Sequence, residues 1–182
     1  MPSSSSLDMM DTTLFNTLLG VGAIIITIAI LTTIVGLVWY RETTQRMIQK
    51  YFLWDGLLLA LAGLVGSLIY SNFFGFPPCT LCWWQRIFLY PQIILFSIGL
   101  WGRGDKRTIA LSSSILSGLG LLVSIYQYLL QMGLFENSTV CIGGTACASI
   151  DAIAFGFITI PMMCGILFLG ILISSIFSLQ KN

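Results

Sequence analysis

The chain has 182 residues, of which 57% are hydrophobic and only 8% charged, with a net charge of +1. A soluble domain carries about 25% charged residues, so these few charges could not cover a water-exposed surface, and without a basic tract nucleic-acid binding has no electrostatic support. Histidine is absent, which removes the commonest general base and every His-containing metal site.

In chain order, residues 1–13 are polar and Ser-rich and are expected to be unstructured outside the membrane. Five apolar runs follow, each about as long as a ~30 Å hydrocarbon core requires. They cover Leu14–Tyr40, Tyr51–Tyr70, Cys82–Trp101, Thr108–Leu130 and Phe157–Leu179. The first is too long for a signal peptide and follows Asp8 and Asp11, not a basic start, so it reads as a retained helix. No linker is long enough to separate two domains. The fold class expected is an all-α membrane protein.

The charges set an expected topology. Arg41, Arg46 and Lys50 lie between the first two runs, Arg103, Lys106 and Arg107 between the third and fourth, and Lys181 after the fifth. The positive-inside rule puts all of these in the cytoplasm. The alternate connections contain Glu136 and Asp151, and Arg86 is the only basic residue near them. The N-terminus is then outside and the C-terminus inside. Trp39, Tyr40, Tyr51, Tyr70, Trp83, Trp84 and Trp101 are expected at the interfaces, as an aromatic belt.

Four of the five cysteines fall in the two outer connections: Cys79 and Cys82 as a Cys-x-x-Cys, then Cys141 and Cys147. Disulfides persist on that side of a membrane. Pro77 and Pro78 oppose continuation of a preceding helix. Cys79 therefore stands near the start of the third helix, where free N–H groups and the dipole favour a thiolate. Cys82 is one turn on and Arg86 four residues further, so the three share a helix face. An arginine at this depth offers a permanent cation and five donors to a thiolate or to a carbonyl that gains electrons. It could equally snorkel to headgroups. The four cysteines could also form a zinc site or two static disulfides. Cys164, inside the last run, reads as a packing residue, and Ser113, Ser117 and Gly120 suit close helix packing. Asp55 reaches water or Lys50, with a proton relay as the alternative, and Asn137-Ser138-Thr139 matches a short glycosylation sequon.

The stretch Cys79-Thr80-Leu81-Cys82-Trp83-Trp84-Gln85-Arg86, with Phe155-Gly156-Phe157-Ile158-Thr159-Ile160-Pro161, resembles the bacterial DsbB family of disulfide-bond formation proteins, in particular its BdbC-like branch. The resemblance covers residues 50–180 and implies a four-helix transmembrane bundle, a redox domain over 51–179; the apolar run over 14–40 is expected to add an extra transmembrane helix before it. It implies a membrane thiol–quinone oxidoreductase in the bacterial cell membrane. Such an enzyme reoxidises a thioredoxin-fold, DsbA-like dithiol partner and passes electrons to a quinone, ubiquinone or menaquinone, near the outer end of the bundle. By position, Cys79 and Cys82 match the quinone-proximal pair, Arg86 the arginine beside the quinone, and Cys141 and Cys147 the pair that exchanges with the partner. Two features depart from the family pattern: the additional first span, and the closeness of Cys141 to Cys147. The alternative function is a non-catalytic scaffold or transporter subunit with loops stapled by static disulfides.

Overall fold

The computed structural model describes residues 4–73, 78–134, 153–154 and 158–180, with side chains for 13–73, 78–134 and 159–180. Five helices dominate: α1 (Ser4–Trp39), α2 (Arg41–Leu68), α3 (Thr80–Leu100), α4 (Lys106–Gln131) and α5 (Ile160–Leu179). A π-helical turn, Ile69–Phe73, prolongs α2. Two short strands, β1 (Ile153–Ala154) and β2 (Ile158–Thr159), pair antiparallel just before α5.

Helix α1 begins at Ser4, inside the stretch expected to be unstructured, and only Tyr40 separates it from α2. The basic residues Arg41, Arg46 and Lys50 therefore lie on the first turns of α2 and not in a loop. The two helices fold back as a hairpin: Phe15 meets Tyr70 edge-on at one end, and Gly36 faces Thr44 at the other. Helices α2, α3, α4 and α5 pack in a ring of consecutive neighbours, and α1 lies outside it against α2 and α5. The turns at Tyr40 and between α3 and α4 occupy one end of the bundle. The start of α3 and the approach to α5 occupy the other.

Among the described residues, four helices, Thr13–Trp39, Arg41–Phe73, Lys106–Gln131 and Ile160–Leu179, are long and apolar enough to cross a membrane. Helix α3 is not among them, which departs from the expectation of five apolar spans. The cause is the polar side chains it carries inward, the buried Gln85, Arg86 and Gln92. Its outward side chains Ile87, Ile94 and Ile98 are exposed and apolar, and its 21 residues span about 31 Å at 1.5 Å per residue. Composition alone therefore understates how well its outer face suits lipid.

Lipid tails are as apolar as leucine, so association inside a bilayer relies on close packing and interhelical hydrogen bonds. Both are present. Phe96 of α3 lies over Gly56 of α2, and Phe168 of α5 lies over Gly120 of α4, each ring occupying the space a Cβ would need. Phe52, Leu89, Cys164 and Ile171 complete this core, so Cys164 is a packing residue. Gln92 is fully buried and its Oε1 accepts from Ser113 Oγ (3.3 Å) and Ser117 Oγ (3.1 Å) of α4, while its Nε2 donates to Phe88 O (3.1 Å). An amide this deep is expensive unless it is hydrogen-bonded, and here both its oxygen and its nitrogen have partners. Ser174 Oγ of α5 donates to Asp55 Oδ2 at 2.6 Å, so Asp55 joins α2 to α5. At the same end Gln45 and Gln49 donate to Gln180, both at 2.9 Å. Asp105 caps α4 by accepting from Thr108 N (3.0 Å) and Thr108 Oγ1 (2.9 Å), which holds its carboxyl below the usual carboxylate range.

The aromatic belt needs one correction. Trp39, Tyr40, Tyr51, Trp83, Trp84 and Trp101 are exposed, but Tyr70 is buried. Its ring packs on Phe15 and its hydroxyl donates to Asn16 Oδ1. The helix α1 covers it.

Candidate functional site: a dithiol at the head of α3

Cys79 is the N-cap of α3, with extended backbone at φ −69° and ψ 167°. Its Sγ accepts the free N–H of Cys82 at 3.3 Å, the interaction expected of a sulfur at a helix start. One turn on, Cys82 returns its sulfur to within 2.7 Å of Cys79 Sγ. Cys79 is buried and Cys82 half-buried. Leu81 and Leu130 pack around the pair.

Gln127 of α4 touches both sulfurs. Its Nε2 donates to Cys79 Sγ at 3.3 Å and to Cys82 Sγ at 3.5 Å. Behind it, Gln85 Nε2 donates to Gln127 Oε1 (3.1 Å) and to Ser124 Oγ (3.2 Å). The sequence reading missed both glutamines. The available signal was that buried amides in a membrane bundle must find partners, and both lie in apolar helices.

Arg86 is 5% exposed and points toward α2, so it does not snorkel. Its Nε donates to Ser67 Oγ (2.8 Å), and its Nη2 to Ser67 O (2.8 Å) and Ser71 Oγ (2.9 Å). The guanidinium also lies 5.3 Å from the Trp83 ring centroid, within cation–π range. Among the described residues, Nη1 makes no hydrogen bond and no bond joins Arg86 to either sulfur. The face shared by Cys79, Cys82 and Arg86 is thus divided, the sulfurs turned to α4 and the cation to α2.

Ser67 also lines an apolar cavity of about 150 Å³ between α1, α2 and α5, together with Gly22, Ala23, Gly63, Tyr70 and Cys164. A cavity of about this volume holds one benzene ring. Cys141 and Cys147 lie outside the described residues, as do Pro77, the Asn137 sequon and residues 155–157 of the second family motif.

Fold and site together define a multi-pass helical membrane protein with a cysteine pair at one end of a four-helix bundle. The family model described as "Disulfide bond formation protein DsbB" matches residues 49–178, and the chain belongs to that family. The "Probable disulfide formation protein" of Oceanobacillus iheyensis is 39% identical over 134 residues, covering 71% of this chain and 88% of the relative. The "SPbeta prophage-derived disulfide bond formation protein B" of Bacillus subtilis is 40% identical over 124 residues, covering 68% and 81%. A "Probable disulfide formation protein" of Coxiella burnetii is 37% identical over 145 residues, covering 76% and 96%. No solved structure matches the chain. Membership gives the protein a role in disulfide formation, a membrane environment and a dithiol partner. Helix α1, up to Trp39, lies outside the matched residues.

Proposed function

We propose that the protein is a membrane thiol–quinone oxidoreductase that reoxidises a thioredoxin-fold, DsbA-like dithiol partner outside the cytoplasm. The observation that carries this reading is the pairing of Cys79 and Cys82 Sγ at the head of α3, 2.7 Å apart, one turn before a buried arginine. In the sequence of steps, a partner thiolate attacks a Cys141–Cys147 disulfide, forming a mixed disulfide that the second partner thiol resolves. The partner leaves oxidised and the loop pair reduced. Exchange with Cys79–Cys82 then moves two electrons to the head of α3.

A quinone supplies the two-electron, two-proton acceptor that regenerates the Cys79–Cys82 disulfide. The residues present suit such a ring. The cavity lined by Ser67 matches a six-membered ring in volume, and Ser67 also accepts from Arg86, whose Nη1 is uncommitted among the described residues. Arg86 would supply a fixed positive charge to an acceptor bound beside it, favouring the oxygens that gain electrons. Cys82 is the sulfur closer in sequence to that charge, and together with Cys79 it gives up two electrons and two protons as the S–S bond forms. The net change is dithiol plus quinone to disulfide plus quinol.

The test is direct. Purified protein, reduced partner and a quinone should produce quinol at the rate the partner is oxidised. If the four cysteines are static staples, they will stay oxidised through repeated additions of partner and no quinol will form.

The same reading puts the head of α3 outside, with the N-terminus, and the C-terminus in the cytoplasm, because seven of the eight basic residues then lie inside. A protease tag after Asn182 should survive external protease on intact cells. Its digestion would overturn this orientation.

A further inference from the structure

A line of hydrogen bonds with only one permitted direction ends on the sulfur pair. Gly120 O can only accept, so Ser124 Oγ must donate to it, at 3.0 Å. Ser124 Oγ is then the acceptor for its other neighbour, which turns the Gln85 nitrogen toward it at 3.2 Å. The second N–H of that nitrogen meets Gln127 Oε1 at 3.1 Å. The nitrogen of Gln127 is therefore the end that faces Cys79 Sγ and Cys82 Sγ. Ser124, Gln85 and Gln127 are all buried, so water does not compete for these bonds. Reversing Gln127 would set its oxygen against two sulfurs and its nitrogen against the Gln85 nitrogen.

We propose that Gln127 is a catalytic residue of the dithiol, donating its amide N–H to whichever of the two sulfurs carries the charge, with Gln85 as the positioning residue that keeps the donor aimed. The proposal rests on the reading of Cys79–Cys82 as a redox-active pair. When an incoming thiolate opens that disulfide, the S–S bond breaks and a new S–S bond forms to the attacked sulfur. The electron pair leaves with the other sulfur as a thiolate. The amide reaches both sulfurs, so either leaving sulfur finds the same donor. A neutral donor suits a charge that comes and goes. A lysine here would be left as a buried, unpaired cation each time the disulfide closed, whereas an amide is tolerable in both redox states.

The test uses the purified full-length protein in detergent, reduced and then alkylated with iodoacetamide across a pH series, with Cys79 and Cys82 followed by peptide mass. In Gln127→Leu the pH of half-maximal alkylation should rise by about one unit, making the reaction about tenfold slower near neutral pH. In Gln85→Leu, where the amide survives but loses its orientation, the rise should be smaller. A folded Gln127→Leu protein with the wild-type profile would overturn the proposal. Should that variant fail to fold, Gln85→Leu decides: a shifted profile supports the role and an unchanged one overturns it. The redox reading is checked separately in the wild type. If that protein cycles with partner and quinone while the profiles coincide, only the role of Gln127 is lost. If the wild type fails to cycle, the redox reading itself is lost.

Discussion

Quinol formation should fall below detection in Cys79→Ser and in Cys82→Ser, with the protein still inserted and folded. Serine is a nearly isosteric replacement, and at position 79 it is also among the preferred N-cap residues. Its oxygen would take over the bond from Cys82 N–H that now ends on sulfur at 3.3 Å. At position 82 a hydroxyl would still find the Gln127 amide. Neither change therefore removes a structural contact without replacing it, and both remove the ability to form an S–S bond. Turnover with reduced partner and quinone gives the rate, and the unchanged melting temperature is the control. Most of the activity surviving in either variant would make the pair structural.

Arg86→Lys should lower quinone turnover about a hundredfold, the effect of losing one well-placed donor to a developing negative charge, about 3 kcal/mol. Lysine brings one compact charge and no planar fork. It cannot satisfy Ser67 Oγ, Ser67 O and Ser71 Oγ together, as Arg86 does from Nε and Nη2, and still present a donor elsewhere. Arg86→Ala should be worse and also less stable. It leaves two half-buried hydroxyls of α2 and its π-helical turn without their charged partner, at a cost of about 1 kcal/mol for each bond lost. Lysine is thus the cleaner probe. The measurement is turnover against quinone concentration, with mixed-disulfide formation at Cys141 and Cys147 as the internal control, since exchange there should change little. Unchanged quinone kinetics in Arg86→Lys would reduce Arg86 to a link between α2 and α3.

Local features of this site were legible in the sequence. The prolines before Cys79 announce a helix start, and the spacing to Cys82 and Arg86 follows from helical geometry. The four apolar runs that became α1, α2, α4 and α5 were equally plain. Hidden from the sequence was what each side chain meets across the bundle. Arg86 reads as snorkelling or functional until Ser67 and Ser71 are found opposite it on another helix. Gln127 sits between two tyrosines in a local pattern that says nothing of sulfur. Tyr70 resembles a belt residue until α1 is laid over it. Helix α3 falls short on apolarity because its polar residues face inward, and sequence composition does not distinguish inside from outside.

The Gln92 layer has a mechanical consequence. Sliding α3 along α4 by one turn, about 5.4 Å, would take Gln92 Oε1 out of its place between Ser113 and Ser117 and carry the sulfurs off Gln127. Gln92 and Cys82 are ten residues apart on α3, about 15 Å of helix, so the two contacts pin the same helix at two heights. A thinner or thicker bilayer is normally met by tilting, kinking or local deformation of the lipid. For this pair of helices, tilt as one body is the response that leaves both pins engaged. The sulfurs then keep a fixed address within the bundle while the bundle leans in the lipid.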